Sequence, residues 1–330
     1  MREKVLITGG AGFIGSHLSD LLVHSGYSVV AIDDLSTGRV DNIQQLLPLP
    51  HYKFVRETIM NQQVLDRLTS EADIVIHLAA AVGVKLIVED PVRTIGTNIM
   101  GTEAVLTTAS RYGCKVMIAS TSEVYGKGVR VPFCEDDDRL MGSTTHSRWA
   151  YATSKAVDEF LGLAYHRQFG LPVIVMRFFN TVGPRQTGQY GMVVPRFVRQ
   201  ALLGEPISVY GDGNQSRCFA DVSDVVWAIT KLSENPNSIG QVFNIGSTQE
   251  VTILQLAQKV IEMTGSSSEI KFIPYDQAYA PGFEDMQRRV PSIEKINKLI
   301  GYTPRCSLED TLNRVIAYER EHMDAVNLPA

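Results

Sequence analysis

Tyr151 and Lys155 stand four residues apart in Arg148-Trp149-Ala150-Tyr151-Ala152-Thr153-Ser154-Lys155, a spacing that puts both on one face of a helix. An ammonium near a phenol oxygen favours the phenolate and draws the tyrosine pKa down from about 10 toward working pH. Tyr151 is therefore a candidate general base. Upstream, Val116-Met117-Ile118-Ala119 reads as a short buried strand leading into Ser120 and Thr121-Ser122-Glu123. The C-terminal ends of strands are where open α/β sheets bind ligands, so Thr121, Ser122 and Glu123 would face the same crevice as Tyr151. A Tyr and a Lys at this spacing also occur on ordinary solvated helix faces, so the pattern takes its meaning from its surroundings.

The elements that would position these residues begin at the N-terminus. Val5-Leu6-Ile7-Thr8 is a β-rich run, Gly9-Gly10-Ala11-Gly12-Phe13-Ile14-Gly15 a glycine turn, and Ser16 to His24 a helix. Glycines 9, 12 and 15, with Phe13 and Ile14 between them, permit a tight turn and close approach of backbone N–H groups to a pyrophosphate at the helix N-terminus. The next strand, Ser28 to Ile32, ends in Asp33-Asp34, where an acid would accept hydrogen bonds from an adenosine ribose and repel a 2′-phosphate. That selects NAD over NADP, with Arg39 as the counter-argument, because a guanidinium there could hold that phosphate.

Asp73 to Ala80 reads as a buried strand running into Leu78, Ala79 and Ala80, which allow a flat cofactor close to the backbone. His77 reads as a strand-end structural residue. Helices are expected over 97–110 and 151–169 and a strand over 173–176, continuing the β/α alternation. The fold class is α/β: a Rossmann-type doubly wound parallel sheet over 1–176, with strand 242–245 returning to it. Residues 177–330 form mainly a smaller C-terminal α/β lobe for substrate. That lobe contains Asn180, an amphipathic stretch from Val193 to Leu203, a helix capped at Asp221 to Asp224, a helix from Thr252 to Thr264, and two closing helices. Arg217 and Arg289 fall in loops, where a guanidinium can either reach an anion or stay solvated. Glu135-Asp136-Asp137-Asp138 reads as a solvated loop.

Composition narrows the class. The 330 residues are 44% hydrophobic and 20% charged, with net charge −5, an ordinary globular composition without a nucleic-acid footprint. Cys114, Cys134, Cys218 and Cys306 are widely spaced and suggest neither a metal site nor disulfides. No apolar run approaches the roughly 20 residues needed to span a bilayer, and a cytoplasmic location is expected.

Together, Gly9-x-x-Gly12-x-x-Gly15, Asp33, Asn98, Thr121 and Tyr151-x-x-x-Lys155 resemble the extended short-chain dehydrogenase/reductases that modify nucleotide-activated sugars, over nearly the whole chain. The resemblance implies bound NAD touching Asn98, Tyr151 and Lys155, and oxidation of a sugar 4-hydroxyl by Tyr151 with help from Thr121 and Lys155. It also implies a homodimer through helices beginning near Asn98 and Tyr151. Thr121-Ser122-Glu123-Val124-Tyr125-Gly126 resembles the UDP-glucuronate decarboxylases, as do Arg148-Trp149-x-Tyr151, Arg217-Cys218-Phe219 and the loop from Gly282 to Pro291 with Asp285 and Arg289. In that branch Arg148, Asn180, Arg217 and Arg289 would hold the nucleotide sugar, and Ser122 and Glu123 would manage the C5 carboxylate or the proton replacing it. The expected product is UDP-xylose or the 4-keto-pentose. The loop from Gln186 to Pro195 resembles 4-epimerases instead, so epimerisation of a UDP-sugar remains the alternative. Dehydration is a weaker one, because Ser122 stands where dTDP-glucose dehydratases carry Asp. A silent NAD-binding scaffold would have no chemical need for Thr121, Tyr151 and Lys155 together.

Overall fold

The computed structural model describes residues 3–81, 90–128, 130–146, 148–188, 192–278 and 286–326, with the side chains of Arg148, Asp276, Ala278 and 324–326 outside that description. Strands β1 (Lys4–Thr8), β2 (Ser28–Asp33), β3 (Tyr52–Arg56), β4 (Ile74–His77), β5 (Lys115–Thr121), β6 (Val173–Phe178) and β11 (Gln241–Ile245) form one sheet in the order β11-β6-β5-β4-β1-β2-β3. Every pairing is parallel. The order reverses between β1 and β4, and at such a switch point the chain diverges to leave a crevice above the strand ends.

The strands are apolar on both sides because helices cover both faces. On β1, Val5 and Ile7 join the core beneath α1 (Phe13–His24) and α6 (Val222–Glu234), and Leu6 faces the opposite core. The same alternation recurs on β4, with Ile74 and Ile76 on the first side and Val75 on the second. The second face packs α2 (Gln62–Ser70) and α3 (Pro91–Tyr112), through Leu65, Leu68, Val105, Leu106 and Ala109. Each of the leucines and valines contributes roughly 1.5–3 kcal/mol on burial. Helix α4 (Arg148–Phe169) lies against α3, β5 and β6.

Past β6 the chain builds a second apolar cluster from α5 (Val193–Leu202), β8 (Ile207–Tyr210), α7 (Ile253–Thr264) and α9 (Leu308–Val326). Thr252 and Gln255 close a reciprocal capping box on α7, and Gly265 ends it at φ +66°. Short strands β7 (Thr181–Val182) and β10 (Ala220–Asp221) pair with each other. Strands β12 (Glu250–Thr252), β9 (Ser216–Cys218) and β14 (Arg288–Arg289) form a small sheet, and β13 (Ile270–Ile273) pairs with β8. Helix α8 (Glu294–Ile300) returns to the core of the large sheet through Ile296.

Several expectations shift. Helix α3 starts at Pro91, well before Thr97, because Asp90 caps it by accepting from Arg93 N at 3.1 Å and Pro91 occupies its first turn. Helix α4 starts at Arg148, and β4 ends at His77 so that Leu78 to Ala80 lie beyond it. Strand β3 and helix α2 carry no motif that marks them in the sequence. Among the described residues no helix is long and apolar enough to cross a membrane.

Candidate active site

The glycine turn is built around contacts that admit no side chain. Gly9 adopts φ +72°, and a Cβ there would meet Ala79 N at 2.8 Å, so the turn lies directly against the chain leaving β4. A Cβ on Gly15 would sit 2.2 Å from Gly9 O, and one on Gly12 would sit 3.1 Å from the same oxygen. Gly12 opens α1 without a capping side chain, leaving the helix N-terminus, Phe13 and Ile14 first, facing the crevice. Leu78 N and Ala79 N are tied to Thr8, through its carbonyl at 3.1 Å and its hydroxyl at 3.2 Å, and Ala80 follows half-buried.

Asp33, the last residue of β2, is buried and accepts from Ala11 N at 3.0 Å and Leu35 N at 2.8 Å. Burial pushes its pKa up, opposed by those N–H groups. A Cβ on Gly38 would lie 2.8 Å from both carboxylate oxygens, so only glycine fits beside Asp33 there. Asp34 turns outward and accepts from Ser36 N at 2.9 Å, while exposed Arg39 pairs with Asp41 at 3.2 Å. These features, with the glycine cradle, fit a dinucleotide carrying a free ribose diol.

Tyr151 and Lys155 occupy successive turns of α4 and are both buried. Lys155 Nζ donates to Asp158 Oδ2 at 2.6 Å. Asn98 braces the crevice floor: its Oδ1 accepts from Ala81 N at 2.9 Å and its Nδ2 donates to Ser154 Oγ at 3.1 Å. His77 is buried between Thr8 Oγ1 at 2.8 Å and Thr102 Oγ1 at 3.1 Å, and burial with the Lys155 ammonium lowers its pKa to about 3.

Thr121 ends β5 and accepts from Glu123 N at 3.2 Å, opening a tight turn over Ser122–Tyr125 in which Ser122 and Glu123 are buried. Helix α4 packs against this turn, through Ala156 near Val124 and Tyr125. The fold thereby brings Thr121, Ser122 and Glu123 to the helix of Tyr151 and Lys155. A polar hub whose pairings are unmarked in the sequence holds them. Ser120 Oγ donates to Glu159 Oε1 at 2.5 Å, and Arg177 makes a two-pronged pair with Glu159 at 2.9 and 2.7 Å. Arg177 also donates to Tyr125 Oη at 2.8 Å, and Tyr125 donates to Asn244 Oδ1 at 2.7 Å. The one available signal was a charged residue, Arg177, inside an otherwise apolar strand.

Arg217 and Arg289 are not loop residues as expected. They lie opposite each other on β9 and β14 and are 7% and 8% exposed, because the two-residue β14 pairs with a strand too distant in sequence to anticipate. Arg217 donates to Ser216 O at 2.8 Å, and Arg289 reaches Glu123 Oε1 at 3.4 Å. Asn180, at φ +27°, donates to Cys218 O at 3.2 Å and so ties β6 to β9. Glu135 is likewise no solvated acid. It is buried, and its Oε1 accepts from Asn244 N at 2.9 Å. The Arg148 side chain, Asp285, and residues 189–191 of the Gln186 to Pro195 loop lie outside the described residues.

Similarity to known proteins accords with this geometry. The sequence profile of the family described as GDP-mannose 4,6 dehydratase matches residues 6–315. The chain is 43% identical to a UDP-N-acetyl-alpha-D-glucosaminuronate decarboxylase of Bacillus cytotoxicus, over 97% of this chain and 99% of that protein. It is 37% identical to UDP-glucuronic acid decarboxylase 1 of Xenopus tropicalis, over 98% of this chain and 73% of the relative. The crystal structure of UDP-glucuronic acid 4-epimerase from Bacillus cereus, in complex with UDP-glucuronic acid and NAD, superposes with a TM-score of 0.87 at 32% identity, covering 97% and 99% of the two chains. With its parallel sheet, glycine turn and Tyr-Lys helix, the chain belongs to the GDP-mannose 4,6 dehydratase family of extended short-chain dehydrogenase/reductases.

Proposed function

We propose that the protein is an NAD-dependent decarboxylase of a UDP-linked hexuronate, working through a 4-keto sugar. The observation that carries this reading is the buried pairing of Glu123 with Arg289 next to Thr121. A 4-epimerase returns the same carbon skeleton and has no departing carboxylate to manage. A decarboxylase needs a cation to hold the uronate carboxylate and an acid near C5. NAD bound over the glycine turn would accept a hydride from C4 and return it to the decarboxylated ketone.

The chain's own residues do the rest. Tyr151 takes the proton of the sugar 4-hydroxyl, the Lys155 ammonium favours its phenolate, and the Thr121 hydroxyl bonds the C4 oxygen. With C4 a ketone, the sugar is a β-keto acid. The bond from C5 to the carboxylate breaks, carbon dioxide leaves, and the electron pair enters the C4 carbonyl to form an enolate. C5 then gains a proton, delivered through Glu123, with Ser122 holding the ring. Arg217, Arg289, Asn180 and Arg148 hold the diphosphate and carboxylate. Asp33 bonds the adenosine ribose, while Asp34, Leu78, Ala79, Ala80 and Asn98 shape the rest of the NAD cleft. Residues 1–176 with β11 serve NAD, and 177–330 serve mainly the nucleotide sugar.

UDP-glucuronate is the proposed substrate, giving UDP-xylose or its 4-keto precursor. The uronate named for the Bacillus cytotoxicus relative, which carries an N-acetyl group, shares the same C5 chemistry. A 4-epimerase is the second reading, favoured by the superposition on the UDP-glucuronic acid 4-epimerase. Proton NMR of enzyme with NAD and each UDP-uronate decides: loss of the C5 carboxylate supports decarboxylation, and a galacto-configured uronate with its carbon count intact replaces it with epimerisation. Cytoplasmic location and homodimerisation complete the proposal. For the dimer, α3 and α4 pack side by side and leave Val92 82%, Met100 55% and Phe160 61% exposed.

A further inference from the structure

Residues 151, 155 and 158 follow the spacing i, i+4, i+7, so Tyr151, Lys155 and Asp158 form one stripe along α4 with the lysine in the middle. The stripe is buried throughout. The Lys155 and Asp158 side chains are 3% and 0% exposed, and Nζ lies 2.6 Å from Oδ2. Removing two charges from water costs several kcal/mol per ion, and apolar residues of similar size often fill such sites with equal or better stability. The helix face beside the proposed base instead keeps a full ion pair.

The surroundings leave few other charges to act on it. From α3 come Thr102 and Asn98, both uncharged, and from β4 comes His77, which burial keeps neutral. On α4 itself Glu159 is engaged by Arg177 and Ser120. The second oxygen of Asp158, Oδ1, has no partner within hydrogen-bonding geometry among the described residues, and the Thr102 hydroxyl helps to stabilise the carboxylate. Burial raises the Asp158 pKa, and the Lys155 ammonium opposes that rise.

Resting on the assignment of Tyr151 as the base, we infer that Asp158 is a positioning residue which holds the Lys155 ammonium in line behind the phenol and sets both pH limits of catalysis. Its carboxylate supplies the counter-charge of a buried ammonium at 2.6 Å and offsets part of the field which that ammonium exerts on the phenol one turn away. In a variant without it, burial would disfavour the bare ammonium, and while charged that ammonium would act on the phenol unopposed. Both limits would move the same way.

The test is the pH dependence of kcat/KM for the full-length wild type, Asp158→Asn, Asp158→Ser, Asp158→Glu and Tyr151→Phe, with NAD affinity measured by calorimetry on each. The two uncharged variants are expected to bind NAD and to shift both limbs acidward by about one to two pH units, with Asp158→Glu returning toward wild type. Unmoved limbs in an uncharged variant that binds NAD normally would overturn the inference. So would failure of both uncharged variants to fold and bind NAD, which would assign the carboxylate to the fold alone. Turnover retained in Tyr151→Phe would overturn the base assignment by a separate readout.

Discussion

Arg289 lies 166 residues from Glu123 in sequence, yet its guanidinium is 3.4 Å from the Glu123 carboxylate, with both side chains about nine-tenths buried. Two independent segments therefore meet at the pair on which the proposed decarboxylation rests. β14 delivers the arginine through its pairing with β9, and the turn after β5 delivers the glutamate.

Glu123→Gln is the sharpest test of that meeting point. The amide keeps the size of the side chain and removes its proton-carrying capacity. Carbon dioxide release should fall by about a hundredfold or more, the scale of a lost general acid, with NAD affinity unchanged. Quantifying UDP-xylose and carbon dioxide in single time courses checks this. A loss below about tenfold would remove Glu123 from the proton step.

Asp33→Ala addresses cofactor choice. The carboxylate is held by Ala11 N and Leu35 N, and Gly38 lies too close to it to carry a side chain. Its loss should weaken NAD about tenfold or more and leave NADP binding equal or tighter, because a ribose hydrogen bond and a repulsion disappear together. Parallel titrations with the two cofactors read the ratio.

Arg177→Met should destabilise the fold by about 3–5 kcal/mol, since it strands the buried Glu159 carboxylate. The double variant Arg177→Met/Glu159→Gln should recover part of that stability. Chemical denaturation measures both, and a double variant no more stable than the single one would show that the pair is not coupled.

His77 supplies a pH signature. Its folded pKa is depressed to about 3, against about 6.5 in an unfolded chain. Between those values the unfolded state binds more protons, so the contribution of His77 is fully present above about pH 6.5 and is lost as pH falls toward 3. From pH 6.5 to 5 the loss is about 2 kcal/mol. Wild type should lose that increment in urea denaturation, and His77→Gln should not.

Phe160→Asp tests the proposed dimer face. Phe160 is 61% exposed on α4, away from the buried stripe of Tyr151 and Lys155. Light scattering should show a dimer for wild type and a monomer for the variant. A monomeric wild type would remove α3 and α4 as an association surface.

Much of the architecture was legible because it depends on local patterns. Gly9, Gly12 and Gly15 after an apolar run, an acid closing the next strand, and apolar strands alternating with helical segments specify a parallel sheet and a phosphate-binding turn through short-range sterics and periodicity. Tyr151 and Lys155 were readable for the same reason, since helical spacing alone places them on one face. What the tertiary structure decided is everything that depends on distant segments meeting. It buries Arg217 and Arg289 on paired strands, turns Glu135 inward against Asn244, and joins Ser120, Glu159, Arg177 and Tyr125 into the hub beneath Thr121. A charged side chain carries no mark in sequence of whether it will be solvated or buried. Its partner, and so its energetic role, exists only once the chain has folded.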